Sequence, residues 1–142
     1  RVWVFEKTNI RDLTPDKLPS LVDLATIDVS FISLTKVMPP VRPLLTGNAD
    51  VIALIKPQFE TEGEGLNKHG VIVDPKMHLV HLPPLINRLQ GDGLGLLNFA
   101  CSPISGTKGN IEYLAHFKVG SPYIDASELV SDVIRTGWER KS

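Results

Sequence analysis

The sequence contains a single cysteine, Cys101, and therefore cannot form a disulfide within the chain. A lone cysteine in an apolar stretch is most often a small buried side chain, and this usage fits a reducing cytoplasm. No apolar run is long enough to span a bilayer, and the first residues lack the apolar core of a signal peptide. The absences argue against a disulfide-stapled secreted scaffold and against a membrane span.

An excess of basic residues is also missing, since 15 Lys and Arg face 16 Asp and Glu for a formal net charge of -1. A domain that binds RNA unaided is usually more basic. If RNA is a partner, its phosphates must be bound by local basic patches or by a part outside this sequence. The length of 142 residues predicts one domain, and the 42% hydrophobic content is ordinary for a globular one.

Short apolar runs rich in β-formers alternate with amphipathic stretches along the chain. Such runs are too short for buried helices and predict strands. The predicted strands cover residues 2–6, 24–29, 51–55, 94–101 and 111–119.

Cap and proline signals predict the helices between these strands. Ser33 is a candidate N-cap for a helix through residue 45, which Gly47 would end. Asp74, followed by proline, predicts a helix through about residue 89, which Pro83 and Pro84 should break or bend. Apolar residues at helical spacing predict a further helix over 126–136.

This alternation predicts an α/β fold with a mostly parallel, doubly wound sheet and an antiparallel hairpin of the last two strands at one edge. Residues 1–120 form the predicted domain, and residues 121–142 form a helical tail. The chain starts in what looks like the inside of a strand, so we expect it to be a fragment of a longer protein. Ligands of such sheets lie beyond the carboxyl ends of the strands.

Polar residues follow several predicted strands at that edge. Asn9, Asp28 and Lys56 come after the first three apolar runs, and Glu112 lies near the start of the last strand. Each has a purely structural interpretation: Asp28 as a turn residue, Lys56 as an ion-pair partner, Glu112 as a solvent-facing edge residue. Together they are typical of a convergent site.

Four segments of the chain carry a resemblance to a known family: IDVSFISL, ALIKPQFE, HGVIVDP and SPISGTKGNIEYLAHF, preceded by RVWVFEKTNIRDLTP. Over about residues 1–120 they resemble, in order and spacing, the TlyA/hemolysin-A family. That family is similar to FtsJ-type ribose 2′-O-methyltransferases, which use S-adenosylmethionine. The resemblance implies a Rossmann-like class I methyltransferase fold, with ribosomal RNA or ribosomal subunits as the partner.

The resemblance also implies roles for individual residues. Asp28, Lys56 and Glu112 match three members of the family's catalytic Lys-Asp-Lys-Glu tetrad, whose first Lys lies in a segment that this chain lacks. Asn9 and Ile10 match the position that contacts the cofactor adenine, and Asp28 and Val29 are further cofactor candidates. The family's glycine-rich cofactor loop, the acidic residue for the cofactor ribose and the S4 RNA-binding domain are also absent from this sequence.

In the resulting mechanism, Lys56 activates the ribose hydroxyl, Asp28 orients Lys56, and Glu112 holds the lysine in place. The Gly-rich segment 61–70 is predicted to be a mobile loop that closes over RNA, with Lys68 and His69 as phosphate contacts; the structural alternative is a solvated surface loop. His78, His81 and His116 lack metal-ligand spacing, so no metal is assigned.

Three other functions stay open from the sequence. The incomplete tetrad also suits a binding module for RNA or cofactor without catalysis. A pore-forming hemolysin would need a spanning segment or a long cationic amphipathic helix, neither of which the sequence offers. A nicotinamide-dependent dehydrogenase would be expected to carry GxGxxG after a strand, and none occurs here.

Overall fold

A computed structural model describes residues 1–141, apart from the side chain of Thr107. The elements follow the order β1, α1, β2, α2, β3, β4, α3. Their bounds are Val22–Ile27 for β1, Leu34–Val41 for α1, Leu45–Ile55 for β2, Pro75–Leu89 for α2, Leu94–Cys101 for β3, Tyr113–Val119 for β4 and Ser127–Lys141 for α3. Short 3-10 turns precede β1, as at Ile10–Asp12, or lie between the elements, as at Pro57–Phe59.

The strands form one sheet in the order β1-β2-β4-β3. Strands β1 and β2 are parallel, and β4 runs antiparallel to both of its neighbours, β2 and β3. Three of the four strands therefore point the same way. The predicted α/β class and the antiparallel pairing of the last two strands are confirmed, with β3 rather than β4 at the edge.

All three α-helices contribute to a single core against one face of this sheet. Alternate residues of the two central strands are fully buried in it: Val51, Ala53, Ile55, Ala115 and Phe117. The residues between them point to the other face, where Ile52 and Leu54 are half-buried. Because side chains alternate along a strand, every second residue of β2 and β4 points toward the helices.

Helix α2 continues through Pro83 and Pro84, so of the two predicted outcomes, a break or a bend, the break is wrong. Each proline removes one backbone donor from the helix ladder. The helix is held by its packing instead, because Leu82 and Ile86 are fully buried in the core. As predicted, the Asp74 side chain caps the helix by accepting from the amide of Lys76 at 2.9 Å.

Helix α1 is shorter than predicted. It begins after Ser33, whose hydroxyl accepts from the amide of Thr35 at 3.1 Å, and it ends at Val41. A 3-10 turn over Arg42–Leu44 follows, and β2 begins at Leu45, so Gly47 lies inside a strand rather than at a helix end. Pro43 has no amide hydrogen to extend the α-helical ladder, which favours the early end.

Residues 2–6 do not form the predicted strand. Val2 and Val4 are 84% and 72% exposed, and the segment pairs with no strand of the part that the structure describes. β-branched residues favour extended backbone, but a strand also needs a neighbour for its amides and carbonyls.

Helix α3 is docked on the domain rather than extending from it. Val130 and Ile134 are fully buried in the shared core. Trp138 Nε1 donates to Nδ1 of buried His78 at 3.2 Å, and the Tyr113 hydroxyl lies 2.8 Å from the same nitrogen. The predicted helix of the tail is therefore present and longer than expected, and Ser142, the end of that tail, lies outside the described residues.

The position of Cys101 is explained by packing. A Cβ placed on Gly137 of α3 would lie 2.8 Å from its Sγ, so the helix approaches β3 closely at this point. Burial raises the pKa of the Cys101 thiol. Both observations agree with the structural role expected for this cysteine.

Within residues 1–141, no helix has both the length and the apolar character needed to cross a bilayer. The longest helices, α2 and α3, have 15 residues each, whereas a span needs about 20 apolar residues.

Candidate active site

Asp28 and Lys56 meet at the carboxyl end of the parallel strands. Each is the first residue beyond its strand, Asp28 after β1 and Lys56 after β2. Lys56 Nζ lies 2.6 Å from Asp28 Oδ1, and the lysine side chain is 15% exposed while that of Asp28 is 71% exposed. The Lys56 side chain is thus mostly buried, while the Asp28 carboxylate that it contacts is exposed to solvent.

Ser30 is a second partner of this lysine. Lys56 Nζ donates to Ser30 Oγ at 3.1 Å. An ammonium group has three N–H donors. With one directed to Asp28 and one to Ser30, the third stays available for an oxygen atom of a bound molecule.

Glu112 lies at the same rim, but its side chain has a different partner from the one predicted. Lys56 and Glu112 each come one residue beyond the last paired residues of β2 and β4, Ile55 and Tyr113. The Glu112 carboxylate accepts from Gln58 Nε2 at 3.0 Å, and both side chains are buried. The structural alternative of a solvent-facing edge glutamate is therefore excluded.

Gly106 leaves the space that the Glu112 carboxylate occupies. A Cβ built on Gly106 would lie 2.2 Å from Glu112 Oε2 and 2.5 Å from its Cδ. Real Cβ atoms do not approach other atoms this closely, so any larger residue at 106 would push the carboxylate away from Gln58.

We expect Gly106→Ala to destabilise the fold by about 1–3 kcal/mol, because it displaces a buried carboxylate from its hydrogen-bond donor. Urea unfolding measures this loss. Gly47→Ala is the matched control, since a Cβ there meets no atom within 4 Å. Equal unfolding midpoints for the two variants would show that the Glu112 carboxylate has room to move.

The turn between β1 and α1 is fixed by a half-buried acid, Glu60. Glu60 Oε2 accepts from the amide of Leu34 at 3.1 Å, and burial raises the pKa of this carboxyl. Phe31 has a φ of 64° and is 89% exposed, and its ring lies 4.8 Å from that of Phe59. The turns after β1 and β2, which follow Asp28 and Lys56, therefore contact each other directly.

The predicted cofactor residues lie on neighbouring segments of the same region. Asn9 Oδ1 accepts from the amide of Arg11 at 2.9 Å and begins the turn Ile10–Asp12. The side-chain NH2 of exposed Asn9 makes no hydrogen bond within residues 1–141, so it is available to an acceptor such as an adenine nitrogen. Ile10 and Val29 are partly buried against the core.

The loop that carries Lys68 and His69 is tied to the protein through two asparagines. Asn67 Oδ1 accepts from the amides of His69 and Val71 at 2.8 and 3.0 Å. Buried Asn110 accepts from the amide of Ile72 at 3.1 Å and donates to the carbonyl of residue 70 at 3.0 Å. Lys68 and His69 themselves are exposed, and the structure does not bring them into contact with the Asp28–Lys56 pair.

Several residues of this site were not predicted from the sequence: Ser30, Gln58, Glu60 and Gly106. Gln58 follows Lys56 by two positions in the segment ALIKPQFE, and a polar amide between Pro57 and Phe59 is a signal that could have marked it. Nothing local marks Gly106, because its role depends on a side chain from another part of the chain.

Comparison with known proteins yields several matches. The family model described as FtsJ-like methyltransferase matches residues 1–119. YqxC of Bacillus subtilis, which carries an rRNA methyltransferase name, is 44% identical over 117 residues, covering 82% of this chain and 42% of that protein. The 16S/23S rRNA (cytidine-2′-O)-methyltransferase TlyA of Mycobacterium tuberculosis is 38% identical over 113 residues, covering 80% of this chain and 42% of that protein.

A solved structure of a Lactococcus lactis protein that carries a hemolysin name superposes with a TM-score of 0.84 at 35% identity, covering 96% of this chain and 66% of that chain. Sequence and structure comparisons therefore agree on one group of proteins. The chain spans less than half the length of the two curated relatives, so only the part they share is compared.

Proposed function

Because the chain belongs to the FtsJ-like methyltransferase family, we propose that the protein transfers a methyl group from S-adenosylmethionine to a ribose 2′-hydroxyl of ribosomal RNA. The observation that carries this proposal is the contact of Lys56 Nζ with Asp28 Oδ1 at 2.6 Å, at the edge of the sheet where α/β proteins bind ligands. A relative of 38% identity carries the name of an rRNA (cytidine-2′-O)-methyltransferase, which agrees with this choice of acceptor.

Asn9, Ile10, Asp28 and Val29 are the residues of this chain that would hold part of the cofactor. The unpaired amide NH2 of Asn9 suits an adenine nitrogen, and partly buried Ile10 and Val29 offer apolar contacts. S-adenosylmethionine would supply a methyl group that is already activated by its sulfonium. The protein residues then have to position and activate the hydroxyl that accepts it.

Lys56 is the proposed catalytic residue. Its Nζ already faces an acceptor, the Asp28 carboxylate at 2.6 Å, so we propose that Lys56 acts as a hydrogen-bond donor rather than as a base. Its third N–H would stabilise the negative charge that the 2′-oxygen gains as its proton leaves. That oxygen would then take the methyl group as the carbon–sulfur bond breaks, leaving the cofactor as a neutral thioether. The hydroxyl proton passes to solvent water, which reaches the site beside exposed Asp28.

Glu112 acts as a positioning residue in this proposal. Its buried carboxylate holds Gln58, which follows Lys56 in the turn Pro57–Phe59. This hydrogen bond therefore connects the turn after β2 to the residue that precedes β4. Positioned reactants gain much of their rate from such fixed geometry, on the order of 7–11 kcal/mol in favourable cases.

The test of this function uses the intact protein, deproteinised ribosomal RNA and S-adenosylmethionine with a deuterated methyl group. After digestion of the RNA, mass spectrometry of the nucleosides is expected to show the label on ribose. DNA of the same sequence is the control, because it has no 2′-hydroxyl and should stay unlabelled. A label on a base, or none on any RNA, would contradict the proposal.

A protein that modifies ribosomal RNA has to be where ribosomes are. We therefore propose that it resides in the cytoplasm and acts on ribosomal RNA or on ribosomal subunits.

A further inference from the structure

A groove separates helices α1 and α2 on the helical side of the sheet. Its larger part has a volume of about 1100 Å³ and is lined by residues of both helices, together with Arg11 and the segment 59–62. A smaller cavity of about 170 Å³ shares Thr35 and Arg88 with it and extends to Arg42. The two cavities together form one elongated groove.

One end of the groove is formed by the turns that follow Asp28 and Lys56. Phe31 and Phe59, whose rings contact each other, line its wall at that end. Phe31 is three residues beyond Asp28, and Phe59 is three residues beyond Lys56. A chain molecule with one unit at Lys56 would therefore meet the groove with its neighbouring units.

Three cations line the groove without a protein partner. Arg11, Lys36 and Arg88 are exposed, and none of their side chains makes a hydrogen bond or ion pair within residues 1–141. Three unpaired cations thus share one groove in a chain whose net charge is -1.

The acidic residues of the groove do not neutralise these cations. Of its three carboxylates, those of Glu60, Glu62 and Asp92, that of Glu60 accepts from the amide of Leu34 and has a pKa raised by burial. Glu62 lies on the wall of the groove without an ion-pair partner among the described residues. Four cations, those of Arg11, Lys36, Arg42 and Arg88, therefore face three carboxylates, one of which already caps a helix.

We propose that this groove binds the phosphate backbone of the RNA substrate on the strand that flanks the modified nucleotide. The inference rests on the proposed function and adds to it the path of the RNA. Phosphate contacts from Arg and Lys supply most of the sequence-independent affinity for nucleic acid. Unpaired, exposed cations along an open groove match a repeating anion better than a compact one.

The test combines Arg11→Gln, Lys36→Gln and Arg88→Gln in the intact protein. Its probe is deproteinised ribosomal RNA, and binding is measured by filter retention over a series of salt concentrations. We expect the Kd to rise by about tenfold or more at moderate salt. The slope of log K against log salt should become shallower by about two, since each single-strand phosphate contact contributes roughly 0.7.

The matched control replaces three exposed cations outside the groove with glutamine: Lys17, Arg135 and Arg140. This control removes the same positive charge from the protein. Because it leaves the groove intact, the Kd for RNA should stay within about twofold of the wild-type value, and the slope of log K against log salt should stay close to that of the wild type. In methyl transfer, the groove variant should raise KM for RNA and keep kcat at saturating RNA. An unchanged Kd in the groove variant, or an equal loss in the control, would overturn the proposal.

Two outcomes distinguish RNA binding in the groove from binding of another polyanion and from failure of the proposed function. If the groove variant loses binding of polyglutamate while its Kd for RNA stays at the wild-type value, the groove binds acidic protein and the RNA proposal fails. If wild-type protein labels no RNA, the proposed function fails, while the filter measurement still decides whether RNA binds in the groove.

Discussion

Replacing Lys56 with alanine is expected to lower kcat for methyl transfer by about 10²–10⁴-fold, the range in which positioned proton donors and acceptors contribute. The side chain directs two donors to Asp28 and Ser30, at 2.6 and 3.1 Å, and only its third donor is free for the ribose oxygen. Alanine removes that donor and leaves the exposed Asp28 carboxylate as uncompensated negative charge where the oxyanion forms. The loss should therefore fall on kcat rather than on KM.

The measurement is single-turnover transfer of labelled methyl groups by the intact protein. Lys118→Ala is the matched control, because Lys118 also lies against an aspartate of the same sheet, with its Nζ 3.4 Å from Asp50. Binding of S-adenosylmethionine, followed by calorimetry, should survive in both variants. Transfer at the wild-type rate in the Lys56 variant would remove this lysine from the mechanism.

Acid is expected to weaken the fold through His78 by about 3 kcal/mol between neutral pH and pH 4. Burial lowers the pKa of His78 from 6.5 to about 4. Between those values the unfolded chain binds the proton and the folded chain does not. The free energy of unfolding therefore falls as the pH drops below 6.5, and the loss is complete near pH 4, at about 1.4 kcal/mol for each pKa unit.

The hydrogen bonds at His78 also indicate that the folded protein disfavours its protonation. Trp138 Nε1 can only donate, so His78 Nδ1 must be the unprotonated acceptor. Protonation of that nitrogen would break the bond that joins α3 to α2 and place a charge in the core.

The comparison of wild type with His78→Gln isolates this effect. Glutamine keeps an acceptor for Trp138 but does not titrate, while the carboxylates titrate alike in both proteins. Unfolding in urea at pH 7 and pH 4.5 should show a smaller acid loss for the variant. His69→Gln, at an exposed position, should behave as the wild type. Parallel pH dependences for all three proteins would rule out His78 as the acid-sensitive group.

The sequence predicts the Asp28–Lys56 contact because strand ends are local features. Each apolar run ends at a polar residue, and parallel strands bring their carboxyl ends to one edge. The partner of Glu112 was not predictable in this way. Gln58 and Gly106 reach it from different loops, and a buried contact between distant segments leaves no periodic signal.

The wrong helix and strand predictions share one physical cause. Local propensity predicted a break or a bend at Pro83 and Pro84, yet the buried face of α2 keeps the helix continuous across both. Local propensity also placed a strand at residues 2–6, yet β-formers cannot supply the partner that a strand requires. In both places the environment of the folded chain outweighs the preference of the residues.

The two hydrogen bonds of Asn110 to residues 70 and 72 bear on how RNA would be captured. They shorten the free length of the loop that carries Lys68 and His69, and they join it to the residues just before Glu112. A loop already restricted in this way forfeits less conformational entropy when it closes on a polyanion. If Lys68 and His69 contact phosphate, as the sequence predicts, more of the attraction between these side chains and RNA is expressed as affinity. A shift of the loop would then act on Asn110, two residues before Glu112.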